Sequence, residues 1–128
     1  MAESILDQYL NNVKFVVLTD RETGQAIEIY FDYTLPNMHS EIYGQAVSEY
    51  AVKGRRIGIS GGGRITKIDN YIVLHSRSCN YGRYEDEDAL RLAPLHPMLC
   101  DQGFVFLSMS GEDNALAVVR EYEANNKV

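Results

Sequence analysis

His39 stands where a helix is expected to begin. It lies two residues after Asn37, a residue type suited to capping, and beyond Met38 the residues Tyr43, Ala46, Val47 and Tyr50 recur at helical spacing. The first turn of a helix leaves N–H groups unpaired and carries the positive end of the macrodipole, so it attracts anions and disfavours imidazolium. A histidine kept neutral there, with an ordinary pKa of about 6.5, can act as nucleophile or general base near neutral pH. The plainer alternative is a surface or capping histidine.

Two further segments have the composition of anion-handling loops. Gly58-Ile59-Ser60-Gly61-Gly62-Gly63 is rich in residues that allow positive φ and close backbone approach, yet Arg64-Ile65 follows where a nucleotide P-loop requires Lys and then Ser or Thr. A P-loop is therefore rejected, and the run is read either as a tight turn or bulge, or as an anion contact. Ser78-Cys79-Asn80-Tyr81-Gly82 follows an apolar strand and brings small polar groups into a turn; a simple loop is the alternative. Cys79 lacks the Cys-x5-Arg arrangement of a thiol phosphatase and is not expected to be a nucleophile.

The bulk composition narrows the function classes. With 128 residues, 45% hydrophobic and 23% charged, the chain is expected to form a single domain over residues 1–128 with its own core. The net charge of -6 argues against nucleic acid as partner, because such surfaces need clustered cations and only Lys53, Arg55 and Arg56 form a trio, read as a solvated corner. Cys79 and Cys100 show no CxxC spacing, and His39, His75 and His96 have no partner at zinc-site spacing, so neither a disulfide, a metal nor a cofactor is expected. The N-terminus lacks a signal-peptide pattern and no stretch approaches the ~20 apolar residues of a membrane span. The expectation is a cytoplasmic protein without membrane contact, monomeric by default because no strong apolar surface stripe is left over.

The elements that must position these residues can be read from periodicity. Val13 to Thr19 is apolar on both faces and β-branched, as in a covered strand; Gln25 to Phe31 returns as its hairpin partner with Ile27, Ile29 and Phe31 on one face. The helix from Met38 ends at Gly54. A short strand from Arg56 to Ile59 runs into the glycines, and a second hairpin pairs Arg64 to Ile68 with Tyr71 to Arg77 around Asp69-Asn70. Glu85 to Leu92 reads as a short helix stopped by Pro94 and Pro97, Gly103 to Met109 as a strand and Glu112 to Glu123 as a C-terminal helix. The pattern predicts an α+β (mixed α/β) fold, a single mixed sheet of about five to six strands with one main helix and one or two shorter helices packed on it.

Four segments, Lys14-Phe15-Val16-Val17-Leu18, His39-Ser40-Glu41-Ile42-Tyr43, Gly61-Gly62-Gly63-Arg64-Ile65 and Ser78-Cys79-Asn80-Tyr81-Gly82, occur in an order and spacing that resembles the protein histidine phosphatases of the Janus/Ocnus family. The resemblance spans about Val13 to Ser110. It implies metal-independent hydrolysis of the P–N bond of phosphohistidine in proteins or peptides, with His39 as general base or nucleophile. It also implies phosphate binding by Lys14, Arg64 and Gly63 and by the Ser78–Gly82 loop, through Ser78 and the main chain of Asn80. Such a site suits phosphoryl transfer, which needs positioning and charge stabilisation more than covalent machinery. The chain differs from the family pattern in having no basic residue between Ile27 and Met38 and in carrying Cys79 and Asn80 in the phosphate loop. The alternatives are a non-catalytic module of the same fold that binds phosphorylated or acidic protein segments, and a hydrolase of small P–N compounds.

Overall fold

The β-branched segment VKFVVLTD forms the first strand of a five-stranded sheet in the computed structural model, which describes residues 9–31 and 38–126. In chain order the elements are β1 (Val13–Asp20), β2 (Ala26–Tyr30), α1 (His39–Val52), β3 (Ile57–Ile68), β4 (Tyr71–Ser76), α2 (Asp86–Leu92) with a 3-10 turn (Ala93–Leu95), β5 (Val105–Ser110) and α3 (Ala115–Asn125). The sheet order is β2-β1-β3-β4-β5, and every neighbouring pair is antiparallel except β4 and β5. A parallel pair cannot be joined by a tight turn, and the crossover is supplied by the segment that carries α2. Among the described residues, one curled mixed sheet with three helices packed on it is thus the α+β architecture that the periodicity predicts.

Alternation along the strands assigns the helices to faces. Phe15 and Val17 point into a core with Ile65, Ile72, Leu74 and the α2 residues Ala89 and Leu92. Val16 and Leu18 point the other way, against Ile42 and Ala46 of α1, while Val73 and Leu107 pack on Ala115, Val118 and Val119 of α3. Lys14 pairs with Arg64 and Arg64 with His75, and cross-strand partners share a face. This row therefore joins the α1 side of β1 to the α3 side of β4, so α1 and α3 cover one face and α2 the other. Each fully buried side chain such as Phe15 or Ile72 contributes about 1.5–3 kcal/mol of transfer free energy. Phe15 adds an edge-on contact with Tyr84, ring centroids 5.0 Å apart.

α2 also holds the two edges of the sheet. Arg91 donates to the Ala26 carbonyl of β2 at 3.0 Å, and Asp86 accepts from the Ser108 hydroxyl at 2.6 Å and the Ser110 N–H of β5 at 2.8 Å. Side chains that occupy edge groups blunt the tendency of strands to pair with other chains.

Several local readings change. Ile27 packs with the α1 cluster, whereas Ile29 and Phe31 belong to the α2 core. The reason is a register shift in which Leu18 faces Glu28 but Thr19 faces Ala26, so Ile27 is the extra residue and the alternation breaks there. The short strand and the glycine run are one continuous strand, β3, with its own shift: Val17 faces Gly61 and Leu18 faces Ile59, which leaves Ser60 as the extra residue. The α-helix ends at Leu92 as expected, and Pro94 lies in the 3-10 turn that follows it. α3 starts at Ala115, later than Glu112, because Asn114 caps it by accepting from the Ala117 N–H at 3.3 Å. Val47 is 40% exposed, and the buried stripe of α1 is His39, Ile42 and Ala46. The expected cap Asn37 lies outside the described residues; Met38 is the residue before the first turn, and its N–H faces the Glu41 carboxylate at 3.5 Å.

Candidate anion site

The glycine run is the floor of the site. A Cβ on Gly62 would stand 2.9 Å from Cδ2 of His39 and 3.2 Å from Cβ of Ser78, and one on Gly63 would stand 2.7 Å from the Tyr84 ring. Bare backbone here lets the imidazole and the 78–84 segment lie directly on β3 from its two faces. The run is a bulged strand rather than a loop that wraps an anion.

His39 begins α1, and its side chain is 7% exposed. Nε2 lies 2.8 Å from the Gly63 carbonyl oxygen. A carbonyl only accepts, so Nε2 carries the proton and Nδ1 carries the lone pair. Among the described residues Nδ1 has no hydrogen-bond partner. Burial holds the His39 pKa below the ordinary 6.5; the Gly63 hydrogen bond opposes this, and the charges of Lys14 and Arg64 add to it. The imidazole is thus neutral at pH 7, with one fixed nitrogen and one free.

Lys14, Met38, His39, Arg64, Arg77, Ser78, Cys79 and Asn80 line a cleft of about 160 Å³. Lys14 and Arg64 are brought together by the β1–β3 register, which pairs them directly. Like charges opposite each other repel, and neither has a carboxylate partner among the described residues although the chain carries 18 acidic residues. Two adjacent unpaired cations in an acidic protein make a local anion attractor. In the 470 Å³ cleft around Arg21, Arg55 and Arg56, by contrast, Asp20 and Glu22 stand among the cations and Arg55 pairs with Asp20 at 3.4 Å. Arg55 and Lys53 also lie over the Tyr50 ring, so two of the three basic residues are engaged with their own neighbours.

The Ser78–Gly82 loop is tied down by its own backbone. The Ser78 N–H donates to the carbonyls of Gly62 at 3.0 Å and Gly82 at 3.2 Å, and the Gly82 N–H returns to Ser78 at 2.9 Å. Oγ of Ser78, 1% exposed, accepts from the N–H groups of Asn80 at 3.2 Å and Tyr81 at 3.1 Å. With these two acceptor bonds made, the Ser78 hydroxyl still has its proton to donate.

The expected site residues Lys14, His39, Arg64, Ser78 and Asn80 therefore line one cleft. Gly63 presents its carbonyl to His39 and orients the imidazole. The Asn80 N–H donates to Oγ of Ser78 at 3.2 Å. Arg77 was not anticipated: it read as the end of a strand, but β4 stops at Ser76, where φ is +62°, and the turned chain brings Arg77 to the cleft. The basic residue directly before Ser78 was the available signal.

His75, fully buried, lies beside the site without entering it. Its Nε2 is 2.8 Å from Oγ1 of Thr66 and its Nδ1 2.9 Å from Oγ of Ser76, and burial lowers its pKa. Both nitrogens are occupied, so it serves packing rather than proton transfer. Cys79 and Cys100 are free thiols. Among the described residues no group of three or more His, Cys, Asp or Glu is placed to hold a metal ion, and no helix is long and apolar enough to cross a membrane.

No protein-family model and no curated protein sequence matches the chain.

Proposed function

We propose that the protein is a phosphatase that cleaves the P–N bond of phosphohistidine in proteins or peptides without a metal ion. The observation that carries this reading is the free Nδ1 of a neutral, buried His39 facing a cleft where Lys14 and Arg64 are unpaired. The two cations bind the equatorial phosphoryl oxygens and the Ser78 hydroxyl donates to one of them. Each such charge-assisted bond contributes about 1.5–3 kcal/mol, enough in sum to hold a phosphoryl group in an acidic protein.

Two routes use the same nitrogen. As nucleophile, Nδ1 attacks phosphorus, the P–N bond to the substrate imidazole breaks, and that imidazole leaves with a proton from solvent; water then hydrolyses the phosphorylated His39. As general base, Nδ1 takes a proton from water while its oxygen attacks phosphorus, the same P–N bond breaks and the substrate imidazole again leaves with a proton from solvent. In both, the Gly63 carbonyl stabilises the positive charge that develops on the imidazole.

The test is phosphate release from a phosphohistidine peptide with and without EDTA, in the wild type and in His39→Ala. Activity that resists EDTA and vanishes in the variant is expected. Undiminished activity in the variant overturns the assignment of His39. Phosphopeptide binding without turnover in the wild type replaces the phosphatase by a non-catalytic binding module. Rapid quench into alkali, where the P–N bond survives, separates the two routes, since only the nucleophilic one accumulates a phosphoenzyme that is then lost in acid.

A further inference from the structure

We propose that Arg77 reads a second negative charge on the substrate, a carboxylate flanking the phosphorylated residue, so that the cleft selects phosphohistidine within an acidic stretch of polypeptide. The identity of the phosphorylated side chain rests on the function proposed above; the selection by Arg77 rests on the charge and geometry of the cleft.

The cleft holds more positive charge than a phosphoryl group needs. A phosphoryl dianion carries a charge of about −1.5 to −2, which Lys14 and Arg64 together balance. His39 is neutral and adds nothing to the count. Arg77 lines the same cleft, is exposed, and has no hydrogen bond or carboxylate partner among the described residues. It reaches the cleft from a different direction, beyond the end of β4, whereas Lys14 and Arg64 stand opposite each other on β1 and β3.

A planar guanidinium is suited to bidentate pairing with a carboxylate, and Arg77 follows directly into buried Ser78, which anchors its backbone at the rim. A polypeptide whose phosphohistidine enters the cleft carries its neighbouring residues across that rim.

The experiment compares three phosphohistidine peptides that differ only at the flanking positions, with Asp, Ala or Lys, on the wild type, Arg77→Gln and Arg77→Glu. For an exposed ion pair the wild-type preference for Asp over Ala in kcat/KM is about fivefold, carried in KM. Arg77→Gln brings the ratio to near one, and Arg77→Glu favours the Lys peptide. Each ratio is taken within one variant, so a loss of folded protein cancels. A wild-type ratio near one, or a ratio unaltered by Arg77→Gln, overturns the inference. So does an equal loss on phosphoramidate and all three peptides, which makes Arg77 part of the phosphate grip in place of the basic residue that Ile27–Met38 lacks. If the wild type turns over none of the peptides, their binding is compared by calorimetry. An Asp preference abolished by Arg77→Gln then upholds the selection while the phosphatase reading falls, and no preference sinks both.

Discussion

The Nε2 proton of His39 is held by the carbonyl of Gly63 at 2.8 Å, so a main-chain group of the central strand decides which imidazole nitrogen faces the cleft. Main-chain orientation is robust to side-chain exchange at the acceptor but sensitive to anything that moves the strand or the ring.

That sensitivity is tested at Gly62. A Cβ there meets the Phe15 carbonyl at 2.8 Å and the His39 ring at 2.9 Å; the backbone cannot yield, so the ring must. Gly62→Ala is expected to destabilise the fold by about 1–3 kcal/mol through overpacking. It also lowers kcat about 10–100-fold by misplacing Nδ1. Urea unfolding and steady-state kinetics on the folded fraction measure the two effects, and wild-type kcat in a destabilised variant would detach the glycine from catalysis.

The pH dependence follows from the neutral imidazole. Burial, with Lys14 and Arg64 adding to it, holds the His39 pKa below 6.5, so the free protein keeps its reactive form through pH 6.5 and loses it only at lower pH. An NMR titration of the His39 ring is expected to give a midpoint below 6.5, and Lys14→Met to move it upward by removing one like charge. A midpoint above 6.5 in the wild type contradicts the neutral-base arrangement.

Acid stability has a separate origin in His96. Its ring stacks on Phe31 at 4.3 Å, Nδ1 accepts from the Met98 N–H at 3.1 Å, and burial lowers its pKa to about 4. The folded pKa is below the unfolded one, so the unfolded chain takes the proton first as pH falls. The contribution is complete above about 6.5 and is lost between there and about 4, roughly 3 kcal/mol in all. His96→Asn keeps an acceptor for Met98 without the titration, and the stability gap between wild type and variant is expected to narrow by most of that amount from pH 7 to pH 4.5. A constant gap in urea melts would assign the acid loss to other groups.

Asp86 is expected to guard the β5 edge. Asp86→Ala removes the acceptor of the Ser108 hydroxyl and the Ser110 N–H, a loss of about 1–3 kcal/mol. The freed edge also favours association, so light scattering during mild heating should rise faster than in the wild type. An unchanged unfolding midpoint would show that these bonds are replaced by water at no cost.

The sequence by itself determined the elements with strong periods and the residue types of the site. Runs such as VKFVVLTD and YIVLHS state a covered strand through β-branching and apolarity, and a sheet with one main helix follows from the change of period at Met38. His39 and the Ser78–Gly82 loop could be named from residue type and placement, whereas Lys14 and Arg64 entered only through the resemblance to the protein histidine phosphatases. What only the tertiary structure decided lies in relations between distant segments. The Lys14–Arg64 pairing is a matter of register, which depends on the shift at Ser60 and on packing from both faces, not on either strand alone. The glycines serve approach rather than anion wrapping because His39, Ser78 and Tyr84, far apart in the chain, converge on β3. Ile27 changed faces at a bulge that no local alternation reveals. Arg77 joined the cleft because β4 ends one residue earlier than its composition suggests, with Ser76 in a positive-φ turn. Local residue type records propensity and chemical capacity; which groups meet is set by long-range packing, and that information is spread over the whole chain.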